Sequence, residues 1–292
     1  MRVLVLGATG MLGHTVYRFL NSTNNKIKCY GTIRNKKDKK FFNHHLSQNL
    51  RIFDDFNNLN KLEKFIRKIN PEIILNCIGL IKQRDNSENQ LEAVFVNSLL
   101  PHQISKVCND IGIRFIHFST DCVFSGSKGN YKESDLPDAR DIYGLSKFMG
   151  EINNKNNLTI RTSIIGHELK NSLGLLEWFL GEKREIIGYS KAIFSGLTTL
   201  EVSRFLLDHI FKNNKIYGVY HLASEPITKL KLLKIINNVY KSKKNIISSS
   251  SLKIDRSLDG SKLIELTKYK VPNWEEMIKD LYRWNKNYEK LF

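Results

Sequence analysis

Only four cysteines occur in the 292 residues, at Cys29, Cys77, Cys108 and Cys122, and none forms a C-x-x-C pair. That scatter excludes a disulfide framework and a thiolate metal site, so reduced thiols are expected. His44 and His45 are adjacent but lack companion ligands at metal spacing, which makes a surface loop the better account and leaves no metal expected. No apolar stretch approaches the roughly 20 residues that span a bilayer. The opening apolar run is broken by Gly7 before it takes the form of a signal peptide. A cytoplasmic protein without a membrane partner is therefore the expectation. Acidic residues are also scarce, 29 against 46 lysines and arginines, for a formal charge of +17. A positive surface attracts phosphate, yet these lysines are spread among asparagines without a dense arm or a patch interleaved with aromatics, so no nucleic acid is expected. The same field suits small anionic ligands.

What the chain does have is alternation. Strands are expected near residues 2–6, 27–33, 50–53, 72–77, 113–118 and 158–162, with helices near 11–21, 58–69, 88–110 and 142–154. That order predicts an α/β fold, a Rossmann-type doubly wound parallel sheet. Pro71 marks the end of one helix and the start of the strand that follows. Residues 1–162 read as a nucleotide-binding domain carrying the chemistry, and 163–292 as a smaller substrate-binding lobe with some elements returning to the core. In that lobe, helices are expected at Leu173–Leu180, Thr199–Lys212 and Lys229–Ser242, while Ile246 to Ser251 and the loop Asp255 to Asp259 are polar and stay unassigned.

The amino terminus runs Arg2-Val3-Leu4-Val5-Leu6-Gly7-Ala8-Thr9-Gly10-Met11-Leu12-Gly13, an apolar strand followed by three glycines spaced by three. Glycine in such a turn permits positive φ and lets a phosphate reach the backbone, while free N–H groups at the helix start attract the anion. Gly7, Thr9, Gly10, Met11, Leu12 and Gly13 are therefore candidate dinucleotide-binding residues, although the spacing departs from G-x-G-x-x-G and an ordinary strand-to-helix turn would look alike. After the second strand comes Arg34-Asn35-Lys36-Lys37. An acidic residue there would bind a free 2′-hydroxyl, whereas Arg34 suits a 2′-phosphate, which favours NADP(H) and leaves NAD(H) open. Asn76-Cys77-Ile78-Gly79 ends another strand at the carboxyl edge where open α/β sheets take ligands.

Tyr143 and Lys147 stand four apart, and Thr120 follows the strand at 113–118. On a helix the i,i+4 spacing sets phenol and ammonium on one face, where the cation lowers a tyrosine pKa that begins near 10. The Thr120 hydroxyl would hold a substrate oxygen against the phenol. A Tyr-x-x-x-Lys pair alone is weak, since most such pairs are solvated faces; the glycine turn upstream strengthens it.

With Phe118-Ser119-Thr120-Asp121, Tyr143-x-x-x-Lys147 and the Asn97 of Val94-Phe95-Val96-Asn97, the chain resembles an extended short-chain dehydrogenase/reductase. Through Ser119-Thr120-Asp121-Cys122-Val123-Phe124-Ser125-Gly126, Glu133-Ser134-Asp135 and Arg161-Thr162-Ser163 it resembles the dTDP-4-dehydrorhamnose reductase branch, a likeness that thins after about residue 230. The resemblance implies reduction by NADPH of the C4 keto group of a nucleotide-linked 4-keto-6-deoxyhexose, dTDP or UDP, for a surface polysaccharide. Tyr143 would donate the proton, Lys147 bind the nicotinamide ribose, and Thr120 orient the carbonyl. Asp55 and Phe56 would lie by the adenine and Cys77, Ile78 and Gly79 along the middle of the cofactor, with Asn97 a structural and proton-relay residue behind them. Asp121 and Cys122 would face the sugar. The segment Lys191 to Thr198 resembles the part that covers the substrate, which sets Lys191 near a pyrophosphate, and Arg256 takes the same role. Related dehydratases carry glutamate where Cys122 stands, and a thiol is a poor base for C5, so dehydration is disfavoured. An epimerase that keeps its NAD(P) and a non-catalytic dinucleotide-binding regulatory subunit stay as alternatives, and assembly as a homodimer stays open.

Overall fold

The computed structural model describes residues 1–23, 26–80, 87–170, 172–183 and 185–289. Strand β1 (Arg2–Leu6) explains why the sheet is covered on both sides. Successive side chains of a strand point to opposite faces. Val3 and Val5 enter one apolar cluster, Leu4 and Leu6 another, and all four are fully buried. Four successive apolar residues buried on alternate faces need a layer on each side, which is the pattern of a parallel sheet wrapped by helices. The helix Met11–Thr23 covers one face through Val16 and Leu20, joined by Leu200, Phe205, Ile278 and Leu281. Leu62, Ile66, Leu100, Ile104 and Val107, from Leu59–Ile69 and Leu100–Asp110, cover the other.

The remaining strands are β2 (Lys28–Ile33), β3 (Leu50–Ile52), β4 (Ile73–Asn76), β5 (Arg114–Ser119), β6 (Asn157–Arg161), β7 (Ile164–Ile165), β8 (Ile186–Phe194), β9 (Leu197–Thr198), β10 (Gly218–His221), β11 (Ile227–Thr228) and β12 (Ile246–Asp255). Seven of them form one sheet in the order β10-β6-β5-β4-β1-β2-β3, with every pairing parallel. The chain runs outward from β1 to β3 and then restarts at β4 on the other side of β1. This reversal is the switch point, and it opens a crevice at the carboxyl ends of β1 and β4. The fold is the expected Rossmann-type α/β sheet, and β10 returns to it from late in the chain, alongside β6.

Three of the departures from expectation shape the site or its surroundings. The helix expected over 88–110 runs from Ser87 to Asp110 but widens to a π turn at Val94–Leu99. Pro101 lies just beyond and has no N–H for the Asn97 carbonyl that an α-helix would pair with it. The helix expected to reach 154 stops at Met149, and a Cβ on Gly150 would lie 1.9 Å from the Asn97 carbonyl oxygen, so this end abuts the π turn. The unassigned segment from Ile246 is strand β12, parallel to β8, whose other edge pairs with β11. Its residues are mostly exposed on both faces, so no apolar alternation announced it. Among the described residues no helix is long and apolar enough to cross a membrane.

Candidate active site

The turn after β1 is a main-chain device. Gly7 adopts φ +80°, and its N–H donates to the Thr32 hydroxyl at 2.9 Å, while Ala8 N–H donates to the Thr32 carbonyl at 2.9 Å. A Cβ on Gly13 would lie 2.1 Å from the Gly7 oxygen, so the helix closes on the turn as no side chain would allow. Gly10 is exposed and Thr9 and Met11 half-buried, and the first amides of the helix have no carbonyl of their own turn behind them. Ile78 packs over Gly7, with its Cγ1 3.0 Å from where a Cβ would stand, which brings the loop after β4 against the same turn. This bare, amide-lined cradle fits a dinucleotide phosphate. His14, beneath it, meets the Gly10 carbonyl oxygen at 2.9 Å and is kept neutral, its pKa pushed down to about 3 mainly by burial.

The second device is made of side chains. Thr120 caps the short turn after β5, accepting from Cys122 N–H at 3.1 Å and donating to an Asp121 carboxylate oxygen at 3.1 Å. Asp141 caps the helix Ile142–Met149 by accepting from Gly144 N–H at 3.0 Å. A Cβ on Gly144 would lie 2.4 Å from the Cys122 carbonyl oxygen, so this helix presses onto the Thr120 turn. The Tyr143 phenol lies within reach of the Thr120 hydroxyl there. Lys147 is buried, donates to the Phe118 carbonyl at 2.6 Å and lies 3.5 Å from His117 Nε2.

The proton states correct the expectation drawn from spacing. The Tyr143 phenol is raised well above its ordinary value, first by burial and then by the charges of Cys122, Asp121 and Asp141, with the Thr120 hydrogen bond opposing. Lys147 is pushed down to about 8 by burial, against Glu151 and Cys77. Lys147 is not among the groups that set the phenol, and its amine is held by the Phe118 carbonyl with His117 alongside.

Asn97 fastens the two devices together. Its Oδ1 accepts from Leu80 N–H at 2.9 Å, and its Nδ2 donates to the Leu80 carbonyl and to Ser146 Oγ, both at 3.2 Å. The amide is thereby spent on protein partners, so Asn97 acts as a clamp between the loop after β4 and the Tyr143 helix. A buried ion pair lies nearby: Glu151 receives Ser119 Oγ at 2.6 Å and Arg161 Nη2 at 2.7 Å.

A family profile described as RmlD substrate binding domain matches residues 1–286. The chain belongs to the RmlD substrate-binding domain family. It is 27% identical over 238 residues to the dTDP-4-dehydrorhamnose reductase of Escherichia coli, covering 78% of this chain and 74% of that one. It is 34% identical over 153 residues to methionine adenosyltransferase 2 subunit beta of Danio rerio, covering 51% of this chain and 42% of that one. The matched part is thus about three quarters of the first relative and under half of the second. A dTDP-4-dehydrorhamnose reductase from Bacillus anthracis, crystallised with NADP, superposes with a TM-score of 0.77 at 22% identity, over 96% of this chain and 98% of that one, a likeness of fold.

In this RmlD-family chain the outlying site residues divide. Arg256 is at the site: it donates to the Phe124 carbonyl at 2.9 Å, and its charge acts on Asp121, whose carboxyl is raised by burial. Lys191, expected in a covering loop, is instead an exposed strand residue in register with Lys253 of β12. Arg34 is exposed at the end of β2. Asp38, which sequence reasoning passed over, is buried in the turn that follows and paired with Lys170 at 2.7 Å. Asp55 is paired with Lys61 at 2.7 Å. The Phe56 ring is buried edge-on against Phe53, centroids 4.9 Å apart, so only its main chain is left for an adenine. Thr32, His117 and Glu151 were also missed, because each acts through partners distant in sequence.

Proposed function

We propose that the chain reduces the C4 keto group of a nucleotide-linked 4-keto-6-deoxyhexose with NADPH, the dTDP-linked sugar being the first to try. The meeting of Thr120 and Tyr143 one helical turn from the buried Lys147 carries this reading. A phenol held above its ordinary range stays protonated near neutral pH and is available as the acid for a carbonyl oxygen, while the Thr120 hydroxyl aligns that oxygen. Bound at the glycine turn, NADPH supplies the hydride. Lys147 holds the nicotinamide ribose, Gly7 to Gly13 the phosphates, Cys77 to Gly79 the middle of the cofactor, and Arg34 the 2′-phosphate. Residues 1–162 carry cofactor and catalytic groups in this reading, and 163–292 cover the sugar nucleotide, with Arg256 reaching Asp121. Cys122 in place of a carboxylate base supports reduction over dehydration.

The test is an NADPH-oxidation screen over dTDP- and UDP-linked 4-keto hexoses, repeated with Tyr143→Phe. Stoichiometric NADPH loss that vanishes in the variant, with cofactor binding retained, is the expected result. Sugar interconversion without net NADPH loss would make the chain an epimerase. Silence on every keto-sugar, together with retained dinucleotide binding, would favour a regulatory subunit.

A further inference from the structure

His117 has no part in the reaction just described, yet it is fully buried in the middle of the sheet, in register with Asn76 of β4 and Thr159 of β6. Its two ring nitrogens face two polar side chains: Nδ1 lies 3.1 Å from Asn76 Nδ2, and Nε2 lies 3.5 Å from Lys147 Nζ. The orientation of Asn76 fixes the place of the ring proton. Its Oδ1 accepts the Ile78 N–H at 3.2 Å, so its NH₂ end is the one facing the ring. A ring nitrogen facing an NH₂ group must accept, which leaves the single proton of the neutral imidazole on Nε2, aimed at the lysine. Burial first, then Lys147 and His102, keep the ring neutral.

An Nε2–H facing Nζ opposes one donor with another while the lysine is an ammonium, and becomes a hydrogen bond to a lone pair once it is an amine. The Phe118 carbonyl accepts from Nζ in either state. We propose that the Asn76–His117 pair is a positioning device for Lys147, holding the amine in place and tipping it toward release of its proton, so that the lysine serves the site as an exchanging group and not as a fixed cation. Its use in catalysis rests on the reductase reading; its geometry does not. Glu151, just past the end of the helix that carries Lys147, and Cys77, past the end of β4, act the other way, and burial outweighs them.

Two measurements on the ligand-free protein test this. Long-range ¹H–¹⁵N spectra of histidine-labelled wild type should show His117 as the neutral Nε2–H tautomer, and an Nδ1–H ring would overturn the proposal with no variant required. Lysine ¹³Cε/¹⁵Nζ titration, with Lys147→Met identifying the signal, should place the Lys147 midpoint near 8. His117→Phe keeps a ring and removes the opposing donor, so the proton affinity of Lys147 should rise by about tenfold or more, one pH unit. Asn76→Leu frees Nδ1 to take the proton and should move the midpoint the same way. A folded variant of either kind that titrates with the wild type sinks the idea. Neither measurement needs a keto-sugar, so a wild type inactive on every sugar would count against the reductase reading and leave the titration to be judged by itself.

Discussion

Two turns stand at the carboxyl edge of one parallel sheet, and they are built on opposite principles. The turn after β1 offers main chain: a glycine at positive φ, an exposed glycine and the amides of a helix start, with Thr32 as its outside support. The turn after β5 offers side chains, and each is held from far away in sequence, Lys147 by Phe118 and the Tyr143 helix by Asn97. The first is local and partly exposed, and a Cβ at Gly7 or Gly13 would strain it. The second is desolvated, so its chemistry depends on everything packed around it.

The sharpest way to break this comparison is Tyr143→Phe. It removes one oxygen from the side-chain turn and should cost about 10²- to 10⁴-fold in turnover while NADPH affinity, read by calorimetry, holds. If affinity fell in parallel, the two turns would not be separable. Gly13→Ala is the converse, since its methyl would meet the Gly7 oxygen and force the main chain apart. Urea unfolding should show a loss of about 1–3 kcal/mol, with weakened NADPH binding. Unchanged affinity would remove the turn from the phosphate site.

Acid distinguishes the two supports. His14 lies under the first turn and His221, 3.3 Å from Arg161, behind the second, with pKa values lowered to about 3 and about 4, chiefly by burial. The unfolded chain binds their protons below about pH 6.5 and the folded one refuses them, so stability falls as pH drops from 6.5 toward 4. Each histidine should contribute about 1.4 kcal/mol per pH unit in that window. Melting curves of His14→Gln and His221→Gln should each have a shallower acid slope than the wild type; parallel slopes would mean that neither ring is held neutral. The smallest effect belongs to Arg34→Ala. Exposed as it is, this charge should shift the preference for NADPH over NADH by about 1 kcal/mol, roughly fivefold, in paired titrations of the two cofactors.

The local turn was legible in the residues themselves. Val3 to Leu6 are apolar at every position and three glycines follow, which suffices for strand, turn and helix. Thr120, Tyr143 and Lys147 were legible as candidates for the same reason: a strand end and an i,i+4 spacing are short-range facts. Their supports were not. His117 lies inside an apolar stretch and looks like an ordinary strand residue until Asn76 and Lys147 face it from β4 and from a helix. Asp38 hides in a basic loop, and its partner Lys170 reaches it from far along the chain. Strand β12 exposes serines on both faces, and Lys191 became a strand residue only by pairing with it.

By itself the sequence determined the alternation of strands and helices, the glycine turn and the placing of phenol and amine on one helix, because those depend on periods of two and of 3.6 residues and on backbone freedom. Tertiary structure alone decided the proton states, the phenol driven up and the amine down. Desolvation is set by which distant segments close over a group, and no spacing along the chain encodes that.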